Sequence, residues 1–243
     1  MSPTPPLAAR TALLRLGGWT PLSTTDYPGR LAAVLFLQGC SWDCVYCHNS
    51  HLRDAAAPPR REWGAVLEFL RRRDGLLDAV VFSGGEPTLQ SGLGDAMREV
   101  RRLRFRVGLH TAGPSPELLA EVLPLVDWVG FDVKAPFDAY ERVSGLHGSG
   151  AKARESLRLL VASGVDHECR TTVHPSLFSA PELAALTESV FAMGARRHVL
   201  QAFRADGCRD EGLNRAADAS AVAALIERAA ALSPRVERRG VQP

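Results

Sequence analysis

The sequence predicts an α/β protein built as a partial, open (β/α)6 barrel, and three features of the chain predict it. Six short stretches rich in apolar or β-branched residues alternate with stretches of helical periodicity, at roughly 30 residues per unit. Regular alternation of this kind places parallel strands in a sheet covered by helices. Every unusual polar cluster follows one of the strand-like stretches, the end where α/β folds place reactive groups. Six units fall short of the eight that close a barrel. An open doubly wound sheet is the alternative that periodicity leaves standing.

The elements follow in chain order. Met1 to Arg15 is rich in Pro and Ala and reads as a loose tail, about residues 1–10, leading into a strand. Thr11 to Leu37 holds a short strand, a turn at Tyr27-Pro28-Gly29 and the apolar strand Leu31 to Leu37. Trp63, Val66, Leu67 and Leu70 recur with helical spacing. Ala79 to Phe82 is a strand ending in Ser83-Gly84-Gly85-Glu86-Pro87, and a helix runs from about Leu93 to Leu103. Arg106 to His110 is a strand, and Ser115-Pro116-Glu117 opens a helix with Pro at its first position. The Asp127 to Lys134 strand precedes a helix from Lys152 to Ser163, stopped by Gly164. His167 to His174 is a strand, and Ser179 with Glu182 fits a capping box. Arg197 to Phe203 is the last strand, and Val222, Leu225, Ile226 and Ala229 mark one face of the last helix.

Composition narrows the function classes. The 243 residues suffice for one domain with a full core, and nothing in the pattern suggests a second. A net charge of +2 is too small to imply a nucleic-acid partner. Neither a membrane span nor a secretory leader is expected. Five cysteines, three of them tightly spaced, argue against a secreted disulfide framework and for a reducing, cytoplasmic compartment.

The chemistry concentrates in Cys40-Ser41-Trp42-Asp43-Cys44-Val45-Tyr46-Cys47-His48-Asn49, spaced C-x3-C-x2-C. Thiolates bind soft metals and iron–sulfur clusters, most of which take four protein ligands. Three thiols leave one position open for chemistry. Gly84-Gly85 lets a ligand approach the backbone and exposes carbonyls and amides. Asp132 and Lys134 share a face of their strand, where an acid and a base are costly unless paired with each other or a ligand. Arg170, Thr172 and His174 share a face of the next strand by the same period, and a guanidinium suits carboxylates.

With these motifs the chain resembles the radical S-adenosylmethionine (SAM) enzymes. It looks most like the glycyl-radical-enzyme activases, through Thr25-Asp26-Tyr27-Pro28-Gly29, Gln38-Gly39-Cys40 and Tyr46-Cys47-His48-Asn49. Among these it is most similar to the anaerobic ribonucleoside-triphosphate reductase activating proteins, from about Gly17 to about Cys208. The resemblance implies the same partial barrel. It implies that Cys40, Cys44 and Cys47 hold three irons of a [4Fe–4S] cluster whose fourth iron is chelated by SAM. Gly84, Gly85 and Glu86 then contact the SAM amino group. Asp132, Lys134 and Arg170 contact its carboxylate and sulfonium region, Tyr46 lies beside its adenine, and Asp26 is a pocket residue. The implied reaction is cleavage of SAM to methionine and a 5′-deoxyadenosyl radical, which removes a glycine Cα hydrogen from a partner enzyme. An electron donor such as flavodoxin or ferredoxin is implied as well. At His110-Thr111-Ala112-Gly113 the activase pattern is Asp-Thr-Asn-Gly, which helps bind a monovalent cation. Here Thr111 keeps its hydroxyl while the flanking Asp and Asn are replaced.

Two other readings use the same residues. One is a radical SAM enzyme acting on a small molecule. The other is a zinc-binding interaction protein with Cys208 or a histidine as fourth ligand. Cys169 and Cys208 read as small buried residues, His174 as structural, Arg204 as open in role, and the Arg71–Arg73 and Arg98, Arg101, Arg102 groups as solvated helix faces.

Overall fold

The structure is a computed structural model and describes residues 11, 14–216 and 218–240. The tail expected at about residues 1–10 lies outside the described residues. The chain forms two compact units. The first comprises the described residues through Ser41, then Leu52–Thr111 and Glu117–Val129; the second comprises Trp42–His51, Ala112–Pro116 and the described residues from Gly130 on.

In the first unit β1 (Leu16–Ser23) runs antiparallel to β2 (Ala32–Leu37), which pairs in parallel with β3 (Ala79–Gly84), and β3 pairs in parallel with β4 (Arg106–Thr111). Tyr27, Ala32, Val34, Ala79, Val81 and Trp128 close one core cluster, with Phe36 packed against it. Helix α1 (Trp63–Arg71) buries Trp63, Val66 and Leu70, three of the four residues whose spacing predicted it. In helix α2 (Leu93–Arg102), Arg98 and Arg101 are engaged within the unit. Arg98 Nη1 lies 2.8 Å from Asp95 Oδ1, and Arg101 Nη1 lies 3.2 Å from Asp127 Oδ2. The short helix α3 (Pro116–Val122) begins at the expected proline, and β5 (Trp128–Asp132) follows.

In the second unit a short helix α4 (Glu141–Ser144) precedes α5 (Ser149–Ser163), which ends at Gly164 in the left-handed region, φ 74°. Strand β6 (Asp166–Val173) pairs in parallel with β7 (His198–Ala202), and β7 with β8 (Glu237–Arg239). Helix α6 (Ala180–Ala192) carries the expected capping box between Ser179 and Glu182. After the short α7 (Glu211–Arg215), α8 (Ala219–Leu232) buries Val222, Leu225, Ile226 and Ala229, the predicted face. Strand β8 was not foreseen; its Arg239 grips the buried Glu168 carboxylate with two bonds, 2.6 and 3.0 Å. No described helix is long and apolar enough to cross a membrane.

Candidate active site

Within the first unit the end of β2 leads into the cysteine motif. Gln38 N–H donates to Arg15 O at 2.8 Å, Gly39 N–H to Leu52 O at 2.7 Å and Cys40 N–H to Arg53 O at 3.2 Å, which fixes the backbone up to Cys40. The Gly84-Gly85-Glu86 turn packs directly on this segment. A Cβ at Gly84 (φ 118°) would sit 2.3 Å from Leu37 N and O, and one at Gly85 would sit 2.3 Å from Gly39 O. Gly85 N–H donates to Leu37 O and Glu86 N–H to Gly39 O, both at 2.8 Å. The glycines therefore serve first to bring two backbones together. The glycines were expected to expose carbonyls and amides; the amide of Gly85 is already used, as is that of Glu86, because the turn closes on β2.

Glu86 is buried, 2% exposed. Its Oε1 accepts from Thr88 N–H at 3.1 Å, Thr88 Oγ1 at 2.7 Å and Thr111 Oγ1 at 2.8 Å. That carboxylate ties the end of β3 to the end of β4 and brings two predicted site residues together. Asp26 lies in a turn in which the Ser23 hydroxyl donates to Asp26 Oδ2 at 2.5 Å. The neighbouring β4 residue His110 places Nε2 2.9 Å from the Asp26 carbonyl.

The second unit holds the remaining predicted residues in one network. Asp43 N–H donates to Ser144 O at 2.9 Å, Val45 N–H to Val143 O at 3.0 Å and Cys47 N–H to Cys44 O at 3.0 Å, so the cysteine loop is laid on α4. Arg170 places Nε 2.9 Å and Nη2 2.8 Å from Asp132 Oδ1, and Lys134 Nζ lies 3.6 Å from Asp132 Oδ2. The same Lys134 Nζ lies 5.6 Å from the ring centre of Tyr46, whose hydroxyl donates to Lys134 O at 3.4 Å. Burial opposes the Lys134 charge, but the Cys44 sulfur and the Asp132 carboxylate prevail and hold the ammonium well above the usual lysine value. Burial also holds the Tyr46 phenol well above its usual value, so it stays neutral. The result is a carboxylate with two cations, set against the loop that carries Cys44 and Cys47.

Sequence reasoning missed Tyr140. It is 1% exposed; its hydroxyl accepts from Lys134 N–H at 3.0 Å and donates to Asp132 O at 3.2 Å, which fixes the backbone of both site residues. Only its aromatic character, a few residues past Lys134, could have drawn attention to it. Three residues read as structural are buried. His174 is fully buried; its Nδ1 accepts from Ser176 N–H at 3.1 Å, and its Nε2 lies 3.2 Å from Leu213 O. Cys169 is fully buried, and burial pushes its thiol up to about 12. The Cys208 thiol lies 3.6 Å from the Val45 carbonyl as its donor.

Comparison with known proteins now decides the family. Residues 34–178, more than half of the chain, match the model of the radical SAM superfamily. The chain belongs to the radical SAM superfamily. A Methanocaldococcus jannaschii protein, named provisionally as a glycyl-radical enzyme activating enzyme, is 33% identical over 190 residues, 72% of this chain and 75% of its own length. The pyruvate formate-lyase-activating enzyme of Clostridium pasteurianum is 29% identical over 167 residues, 66% of this chain and 69% of that protein. A solved structure of SuiB from Streptococcus suis bound to S-adenosylmethionine shares the fold. Its TM-score is 0.64 at 13% identity, over 83% of this chain and 48% of that one, so the chain spans about half of that protein.

Membership of this superfamily implies a [4Fe–4S] cluster and SAM. Among the described residues no three His, Cys, Asp or Glu side chains already converge on one point to hold a metal ion. The donor set nonetheless fits a cluster. Cys40, Cys44 and Cys47 are thiol side chains within a span of eight residues, and Cys40 and Cys47 are half-buried. The residues also fit SAM, since Asp132, Lys134 and Arg170 supply both signs of charge for a zwitterionic amino acid. A monovalent cation fits less well. Such an ion prefers oxygen donors. At the end of β4 the chain offers an imidazole at His110 and a methyl group at Ala112, and only Thr111 of the pattern keeps an oxygen side chain.

Proposed function

We propose that this protein is a radical SAM activase that installs a glycyl radical on a partner enzyme, with anaerobic ribonucleoside-triphosphate reductase as the partner. The observation that carries the SAM reading is the Asp132–Lys134–Arg170 network set against the Cys44–Cys47 loop through Tyr46. The activase reading is supported by the relatives named for that activity and by the Asp26-Tyr27-Pro28-Gly29 turn.

In this reading Cys40, Cys44 and Cys47 would hold the cluster. Bound there, the cluster supplies the electron that cleaves SAM and so generates the radical that takes the glycine hydrogen. The protein's own part is binding and orientation. Arg170 and Lys134 would meet the SAM carboxylate, Asp132 would keep both cations in place, and Tyr46 would offer its ring face to the adenine. The carbonyls of the Gly84-Gly85 turn would receive the amino group. No side chain is needed as a general base, because a hydrogen atom is taken from carbon. The protein is proposed to work in the cytoplasm with a one-electron donor of the flavodoxin or ferredoxin kind.

The test uses the full chain, reconstituted anaerobically with iron and sulfide, reduced and supplied with SAM and the reductase. 5′-Deoxyadenosine together with a glycyl-radical signal on the reductase is the expected result, and both vanish with Cys44→Ala. 5′-Deoxyadenosine formed with no radical on the reductase would refute this partner. Failure to form it at all would refute the SAM reading.

A further inference from the structure

The end of β4 is built differently from what the resemblance leads one to expect. His110 reaches the Asp26 turn through one ring nitrogen. Nε2 is 2.9 Å from the Asp26 carbonyl, and a carbonyl only accepts, so this nitrogen carries the proton. Nδ1 lies 4.0 Å from Asp26 Oδ1. The ring is set edge-on to Trp128, 5.7 Å between centres, and Trp128 packs at a tilt, 5.1 Å between centres, on Tyr27, the residue after Asp26. The imidazole is thereby held from one side while it grips the turn from another. The turn has its own internal bonds. Thr25 N–H and Asp26 N–H donate to Ser23 Oγ at 3.2 and 3.3 Å, and Arg30 N–H donates to Tyr27 O at 3.1 Å.

A cation at the end of β4 would do two things: gather oxygen atoms from separate segments and hold them in a fixed arrangement. Here the segments are gathered without one. His110 joins β4 to the Asp26 turn, and Glu86 joins β4 to the Gly84-Gly85 turn through Thr111. Where the activase pattern puts the oxygens of an Asp and an Asn, this chain has the His110 imidazole, whose Nε2 is turned to the Asp26 carbonyl, and the Ala112 methyl group.

We propose that His110 takes the place of a monovalent cation in this protein: its ring positions the Ser23–Asp26 turn, and SAM is bound without any such ion. The proposal rests on the SAM-binding reading but is tested partly without SAM. His110 acts here as a positioning residue.

Four measurements decide it. In protein without SAM, titration with thallium(I), followed by thallium NMR, should show no saturable site. Hydrogen exchange over residues 23–30 should quicken about fivefold in His110→Ala, the size of one hydrogen bond, and return toward wild type in His110→Gln, whose amide can still donate. With SAM, the wild-type affinity should stay within about twofold when potassium is replaced by tetramethylammonium, whereas a coupled ion typically shifts affinity at least about fivefold. The double variant His110→Asp, Ala112→Asn should acquire a thallium site that potassium displaces.

Saturable thallium binding to wild type, or a collapse of SAM affinity in tetramethylammonium, would overturn the proposal. So would unchanged exchange in His110→Ala. If the double variant does not fold, the wild-type titration and the exchange data still decide. Absence of SAM binding in every salt would instead count against the SAM reading, and the two measurements made without SAM would still judge His110.

Discussion

Asp132 is the residue on which the second-unit network turns, and its removal tests the reasoning most directly. Its carboxylate faces Arg170 at 2.8 and 2.9 Å through one oxygen and Lys134 at 3.6 Å through the other. Side-chain exposure is 10% for Arg170 and 15% for Lys134, so Asp132→Ala strands two cations away from water. Breaking a buried pair costs about 3–5 kcal/mol. Asp132 itself is 31% exposed, and solvent entering the gap screens the loss, which brings the expected cost to about 2 kcal/mol. For a chain of this length that lowers Tm by about 4–8 °C. The assay is thermal and urea unfolding of wild type, Asp132→Ala, Arg170→Met and the double variant, at low and high salt. The double-variant cycle should return a coupling of about 1–2 kcal/mol, because Arg170→Met removes the charge that Asp132 neutralises. Additive single effects, or an Asp132→Ala variant within about 0.5 kcal/mol of wild type, would show that the network does not hold this strand end together.

Three further predictions concern other parts of the chain. Gly85→Ala puts a Cβ 2.3 Å from the Gly39 carbonyl, so it should destabilise by about 2–3 kcal/mol in urea unfolding and disturb the approach to Cys40; wild-type stability would contradict the close packing. His198 is buried between the Thr171 and Thr187 hydroxyls, at 2.9 and 3.0 Å, and burial lowers its pKa to about 4. A histidine whose folded value is depressed contributes stability that is complete above the unfolded value of about 6.5 and lost as pH falls toward 4. Unfolding free energies from urea titrations at pH 7 to pH 4 should therefore fall by about 3 kcal/mol more in wild type than in His198→Gln, and parallel curves would refute this assignment. Cys169, fully buried with its thiol pushed up to about 12, should stay unmodified by iodoacetamide in the native protein while the half-exposed Cys40 and Cys47 react; mass spectrometry of the labelled peptides reads this.

Much of the fold was legible because it rests on local rules. The face of α8 follows from helical periodicity, the start of α6 from the Ser179–Glu182 box, and the end of α5 from Gly164. Strands β2 and β3 were legible as short apolar runs. The candidate site was proposed at the level of residue types, from three cysteines in eight residues and an acid two residues from a base. Lys134 lies just past the end of β5, so the period-two argument placed it on the right side although the strand had already ended.

What escaped the sequence depends on residues far apart in the chain. The strand β8, Glu237–Arg239, has no apolar signature, since it is held by Arg239 on the buried Glu168 and by Glu237 on Arg197. The use of the Gly84-Gly85 turn as a close backbone contact appears only when Leu37 and Gly39 are placed beside it. Tyr140 fixes Asp132 and Lys134 through backbone atoms, which no residue pattern encodes. The sequence by itself determined the alternation of strands and helices, because that follows from local periodicity, and it offered candidate site residues through their side-chain chemistry. Only the tertiary structure decided which groups neutralise one another and which hydrogen bonds hold the turns, because those pairings form between segments that the chain brings together only on folding.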